Sequence, residues 1–186
     1  TFSGINLEDI AAPDCFAIEN RLKAETNMAI FHDDQHGTAI VTMAALFNAL
    51  KVTNKKINEI KIVVSGAGAA AVATLKLLLN AGVKDAIICD STGIIWRGRP
   101  ERMTPVKEEL AELTNKDNIK GSVFDALHDA DVFIGLSKGN LIKGNDIRKM
   151  KKDPIIFAMA NPIPEIMPQD AYDAGAVMFG TVGSYC

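Results

Sequence analysis

Two rhythms of apolar and polar positions run along the chain. "IKIVVSG", "DAIICD", "DVFIGLS" and "PIIFAMAN" are short and apolar almost throughout, as strands covered on both faces are. Between them lie longer stretches with helical spacing: "AAAVATLKLLLNAG", where Gly82 is placed for a left-handed cap, "VKEELAELT", "DIRKMKK" and "PQDAYDAG". Strands alternating with helices predict a Rossmann-type, doubly wound, mostly parallel α/β sheet over residues 35–186. The polar, turn-rich section after "DAIICD" predicts no strand.

The first part of the chain reads differently. "FSGINLEDI" has the look of a strand ending in two acids, "APDCFAIENRLKAE" of a helix opened by Pro13, and "MAIF" of a short buried strand. From Thr38 to Val52 the chain is apolar on most faces, which predicts a buried helix whose start Gly37 and Thr38 mark. Residues 1–34 are expected to be the remnant of a second α/β domain. The opening Thr inside a strand-like pattern predicts a piece of a longer protein.

Composition narrows the partners. A net charge of −3, with no basic block beyond the small "RKMKK" cluster, argues against a nucleic-acid groove or an anionic membrane surface. No apolar run is long enough to cross a bilayer. Cys15, Cys89 and Cys186 are far apart, which argues against a disulfide framework and for a reducing, cytoplasmic setting.

Two motifs carry chemistry. "VVSGAGAAAV" matches G-x-G-x-x-A at Gly66, Gly68 and Ala71, after a strand and before a helix, with Asp90 closing the next strand. Gly66 makes the turn, Gly68 lets backbone approach a pyrophosphate, and the helix start offers free N–H groups. Asp90 can accept from an adenine-ribose hydroxyl, which favours NAD, whereas Arg97 or Arg99 can meet the 2′-phosphate of NADP. A turn-forming aspartate in "CDSTG" is the plainer reading of Asp90. The second motif is "AIFHDDQHGTAIV", which follows "GINLEDI". Glu8, Asp9, Asp33 and Asp34 all end strands, and gathered carboxylates of this kind select Mg²⁺ or Mn²⁺. Solvated turn and cap residues are the plainer alternative. Zinc on His32 and His36 is the weaker alternative, because both histidines are expected to precede the helix.

Taken in order, "GINLEDI", "FHDDQHGTAIV", "KIVVSGAGAAA", "DVFIGLS" and "IIFAMANPIPEI" resemble the malic enzyme family over nearly the whole chain. The resemblance implies oxidative decarboxylation of (S)-malate to pyruvate and CO₂ with NAD or NADP, usually in a homo-oligomer. It implies Glu8, Asp9 and Asp34 as divalent-metal ligands and Asp33 as the residue orienting a catalytic lysine. Thr38 and the loop of Gly66, Ala67, Gly68, Ala69 and Ala70 fall where the cofactor binds, and Asn161 lies near nicotinamide and substrate. His32 and His36 become supporting residues.

Two departures stand out. The family's lysine base and tyrosine acid fall in a region ahead of this chain, and Tyr172 and Tyr185 are in the wrong parts to replace them. The ending "FGTVGSYC" leaves the family pattern, and Ile163 stands where threonine is usual. The chain by itself is therefore expected not to turn over malate. A non-catalytic dinucleotide-binding or assembly module is the alternative from another class. Another Rossmann dehydrogenase would share the glycine loop but leave Glu8, Asp9 and Asp34 without a purpose.

Overall fold

The computed structural model describes residues 2–182. β1 (Gly4–Leu7), α1 (Asp14–Glu25) and β2 (Ala29–His32) form a small unit in which the two strands pair in parallel. The long helix α2 (Asp33–Thr53) then leads into a second sheet. Its elements follow as β3 (Lys61–Ser65), α3 (Ala69–Asn80), β4 (Asp85–Asp90), β5 (Gly93–Ile94), α4 (Pro105–Leu113), α5 (Val123–Ala126), β6 (Val132–Gly135), α6 (Gly144–Ile147), β7 (Ile155–Ala158), α7 (Pro168–Asp173) and β8 (Met178–Gly180). The strand order is β5-β4-β3-β6-β7-β8, parallel except where β5 turns back on β4. This is the expected Rossmann-type arrangement. The chain leaves β3 toward β4 on one side and returns to β6 on the other, so the loops after β3 and β6 diverge and open a crevice.

Alternate residues of each strand feed different cores. Ile62 and Val64 of β3 face α2 and α3, joining Leu46, Leu50, Leu75 and Leu78, while Val63 faces the opposite layer with Phe133, Ile156 and Ala171. Burial on both faces is why these strands are apolar at every position.

Several boundaries differ from the sequence expectations. α2 begins at Asp33, not at Thr38. The two aspartates occupy its first turn, where carboxylates sit beside free N–H groups at the positive end of the helix dipole. Gly37 does not interrupt the helix; a Cβ there would collide with the Asp33 carboxylate, so glycine leaves that side chain its room. Nor is α2 buried on most faces, since Ile40, Val41, Phe47 and Val52 are exposed. The turn-rich section after β4 holds the unanticipated strand β5, entered through Gly93 at φ 130. α6 covers Gly144–Ile147, so most of the basic cluster follows the helix and Lys151 reaches Asp131. Of the divergent C-terminal stretch, residues 183–186, including Tyr185 and Cys186, lie outside the described residues.

Candidate functional site

The glycine loop is built by close approach. Gly66 follows β3 at φ 117, and a Cβ there would run into the carbonyl of Leu136 after β6. Gly68 is the extended N-cap of α3, and a Cβ on it would meet nothing within 4 Å. Its missing side chain keeps the space in front of the helix open. No side chain caps α3, so its first N–H groups remain available. Ala71, 1% exposed, lets α3 press against the sheet. A cavity of about 670 Å³ opens at this crevice, lined among others by Gly66, Ala67, Asp90, Lys107, Phe124 and Ser137. Open glycine backbone, an uncapped helix and a neighbouring acid fit a dinucleotide.

Asp90 does not stand free in this groove. Arg99 grips it with both terminal guanidinium nitrogens, at 2.9 and 2.6 Å, Lys107 Nζ donates at 2.6 Å, and the amide of Thr92 donates at 2.8 Å. Burial alone would raise the Asp90 carboxyl, but the hydrogen bonds from Arg99 and Lys107 outweigh it and hold the group well below the usual range. Arg99 is therefore committed to Asp90, and Arg97 turns away to the carbonyl of Lys116. On the neighbouring strand position, burial pushes the Cys89 thiol up to about 12, leaving it an inert core residue.

The acidic ends of β1 and β2 are neighbours because the strands pair in register, Leu7 opposite His32. Asp9, at φ 56, donates its amide to Asp34 Oδ2 at 2.7 Å. Among the described residues no three histidine, cysteine, aspartate or glutamate side chains converge on a point where a metal ion would sit. The oxygen donors are thus brought to one edge without being wrapped around a centre, and their chemistry fits a hard divalent cation.

His32 and His36 face different partners. His32, the last residue of β2, precedes α2 as its N-cap, as expected, whereas His36 lies inside the first turns of the helix. The amide nitrogen of Gln35 donates to His32 Nδ1 at 2.6 Å and to Glu19 at 3.0 Å, while His36 Nε2 meets Glu19 at 2.6 Å. With Nδ1 accepting, the proton of a neutral His32 sits on Nε2, which is fully buried, makes no hydrogen bond, and lies 3.4 Å from Asp34 Oδ2. Glu19, 4% exposed, anchors this network from α1, and sequence reasoning missed it. Burial works to raise its carboxyl, but hydrogen bonds from Lys23 and His36 prevail and lower it.

Glu165 was missed as well, although "ANPIPE" contains it. Fully buried, it accepts the amides of Ser137 and Ala160, both at 3.0 Å, and ties the loop after β6 to the loop after β7. Burial raises its carboxyl, with the amide hydrogen bonds pulling the other way. Gly135 is glycine because a Cβ would strike this carboxylate. The signal available in the sequence was a lone acid at the end of an apolar strand and turn. Asn161 is exposed beside these groups, with a cis bond to Pro162. Thr42 Oγ1 approaches Met159 Sδ at 3.5 Å, which brings α2, one turn beyond Thr38, onto the end of β7. Of the cofactor residues expected from sequence, Gly66, Ala67 and Asp90 line the cavity; Gly68, Ala69 and Ala70 form the junction beside it; Thr38 and Asn161 lie outside its lining.

Comparison with known proteins follows the same lines. Residues 35–184 match the family model described as "Malic enzyme, NAD binding domain". The chain is 59% identical over 181 residues to the bifunctional malic/malolactic enzyme of Bacillus subtilis, covering 97% of this chain and 44% of that protein. It is 46% identical to the NADP-dependent malic enzyme of Haemophilus influenzae, covering 92% of this chain and 22% of that one. The crystal structure of the NAD-dependent malic enzyme from Thermotoga maritima superposes with a TM-score of 0.96 at 49% identity, over 99% of this chain and 49% of that one. The chain therefore spans less than half the length of these relatives. With a family match over most of its residues and near-coincident backbone geometry, the chain belongs to the malic enzyme family.

Proposed function

We propose that this chain is the dinucleotide-binding and metal-proximal part of an enzyme that oxidatively decarboxylates (S)-malate to pyruvate and CO₂ with NAD or NADP. The observation that carries the reading is the hydrogen bond from the Asp9 amide to Asp34 Oδ2, which joins the acidic ends of β1 and β2. In this reading Glu8, Asp9 and Asp34 hold Mg²⁺ or Mn²⁺. A cation held by these three residues would supply Lewis acidity at the substrate's 2-hydroxyl oxygen, and a dinucleotide held at the glycine loop would supply the hydride acceptor.

The chain's own residues prepare that chemistry. Gly66, Ala67, Gly68 and the start of α3 bind pyrophosphate, and Asp90 stands at the adenine-ribose end. Thr38 belongs to the cofactor's surroundings. Asn161 orients substrate from the loop that Glu165 steadies, and Asp33 positions a lysine supplied from outside these residues. Residues 1–34 belong to a substrate and metal unit and 35–186 to the dinucleotide unit, in keeping with the two separate sheets. The parent enzyme is a homo-oligomer in this reading, which the exposed apolar residues of α2 support.

Calorimetric titration of the purified chain with Mn²⁺ tests the assignment. Binding is expected, and Asp34→Ala is expected to abolish it with the fold intact by circular dichroism; unchanged Mn²⁺ binding in that variant removes the assignment. With malate, Mn²⁺ and either dinucleotide, this chain alone is expected to form no NADH or NADPH, because Tyr172 packs on Phe179 and no acid and base pair is assigned within it. Metal-dependent turnover would show that assignment to be wrong.

A further inference from the structure

His32 is fully buried, and its Nε2 has no hydrogen-bond partner among the described residues. A buried donor in that state is costly, so what it faces matters. Which ring nitrogen holds the proton follows from the partners of Gln35. Glu19, paired with Lys23 at 2.6 Å, is an ionised carboxylate and can only accept. The end of Gln35 that meets it at 3.0 Å is therefore the amide NH₂. The same nitrogen stands 2.6 Å from His32 Nδ1, and an amide nitrogen gives protons without accepting them. Nδ1 accepts, and Nε2 of the neutral ring bears the hydrogen. A protonated nitrogen cannot ligate a metal, so Nε2 is a donor here and no ligand.

That donor lies 3.4 Å from Asp34 Oδ2, the oxygen that already accepts the Asp9 amide at 2.7 Å. Both donors stand on one oxygen, and no described residue donates to Oδ1. The Asp34 side chain is 42% exposed, so packing alone does not fix its rotation. Two donors on Oδ2 would set the plane of the carboxylate and leave Oδ1 to a hard cation. Carboxylates that hold metals are themselves held by hydrogen bonds, and losing such a partner weakens metal binding.

We propose that His32 is a positioning residue for Asp34: its Nε2–H donates to Oδ2 when Asp34 takes the cation through Oδ1, and Glu19 and Gln35 fix the ring in the tautomer that can do so. The proposal rests on reading Asp34 as a cation ligand. The buried acid of α1 thereby acts, two links away, on the edge where β1 and β2 end.

Nitrogen NMR of the histidine rings in the full chain at about pH 8, above the usual histidine range, and Mn²⁺ calorimetry together test it. His32 is expected as the Nε2–H tautomer. Added Mg²⁺ is expected to shift that nitrogen and to leave exposed His128 unmoved. An Nδ1–H tautomer in the parent sequence overturns the proposal without any variant. His32→Phe, which fills the space without a donor, is expected to weaken Mn²⁺ by about ten- to hundredfold. His32→Gln, whose amide sets an N–H near the place of Nε2, is expected to regain most of that loss. Gln35→Met removes the donor to Nδ1 and is expected to mix the tautomers and weaken Mn²⁺ by about five- to tenfold. It decides the matter if His32→Phe unfolds by circular dichroism. Unchanged Mn²⁺ affinity in a folded His32→Phe, or in Gln35→Met, sinks the positioning role and leaves the metal site standing. Equal losses in His32→Phe and His32→Gln make His32 a packing residue only and likewise overturn the role. If the parent chain binds no Mn²⁺, the metal reading of Asp34 fails, and the role of His32 with it.

Discussion

Two aspartates whose side chains are each 8% exposed sit at opposite ends of the six-stranded sheet, and Asp90 lines the crevice cavity. Asp90 closes β4 at the carboxyl ends of the strands, gripped by Arg99 and Lys107. Asp131 precedes β6 at the other end, where it accepts Lys55 Nζ, Lys151 Nζ and the amide of Lys61, each at 2.9 Å. Burial would raise both carboxyls, and in both the surrounding donors win and lower them. By charge and hydrogen bonding the two are near twins. What separates them is place: ligands in open α/β sheets bind beyond the carboxyl ends of the strands, where Asp90 lies and Asp131 does not. A perturbed buried ion pair marks a site only together with a crevice.

Substitutions sharpen the contrast. Asp90→Ala is expected to destabilise the chain most, by about 3–5 kcal/mol, because Arg99 is only 3% exposed and is left buried without a counter-charge. Asp131→Ala should cost less, about 2–3 kcal/mol, since Lys151 is 45% exposed and can turn to water. Urea unfolding measures both, and a larger loss for Asp131→Ala would reverse the ranking. The same pair governs acid stability. Carboxyls lowered in the folded state leave the unfolded chain to bind protons first, so stability should fall as pH drops below about 4. Glu165, raised by burial, works in the opposite sense and in a higher window: its contribution improves as pH falls toward the ordinary carboxylate range and is complete before that fall sets in. Melting temperature against pH should decline less steeply for Asp131→Asn than for the parent sequence. Glu165→Gln, which sets an amide NH₂ against one of two backbone donors, is expected to cost about 1–2 kcal/mol by the same urea assay. His128, whose exposed side chain pairs with exposed Asp129, marks the lower end: His128→Ala should change stability by less than about 0.5 kcal/mol.

Much of this was legible in the primary structure, for identifiable reasons. β3, β4, β6 and β7 were plain because both faces of a central parallel strand are buried and every position must be apolar. The glycine loop was plain because only glycine allows the turn at Gly66 and the open ground before α3. The start of α2 was not, because glycine ordinarily ends a helix, and only packing showed that Gly37 makes room for Asp33. The roles of His32 and His36 depend on Glu19, 13 and 17 positions earlier in the chain, and no spacing rule connects them. Glu165 was invisible for the same reason, its partners Ser137 and Ala160 lying on two different loops.

The sequence by itself determined the alternation of strands and helices, the parallel sheet, the glycine-rich turn and the family. These follow from local periodicity and from residue types that one backbone shape demands. The tertiary structure decided which charges are spent on one another. In sequence Asp90 and Arg99 are an acid and a base near a turn and Lys107 one position in a helical stretch, and only folding joins them into a single ion cluster. Electrostatics acts through distance in space, and the chain's order carries little of that distance.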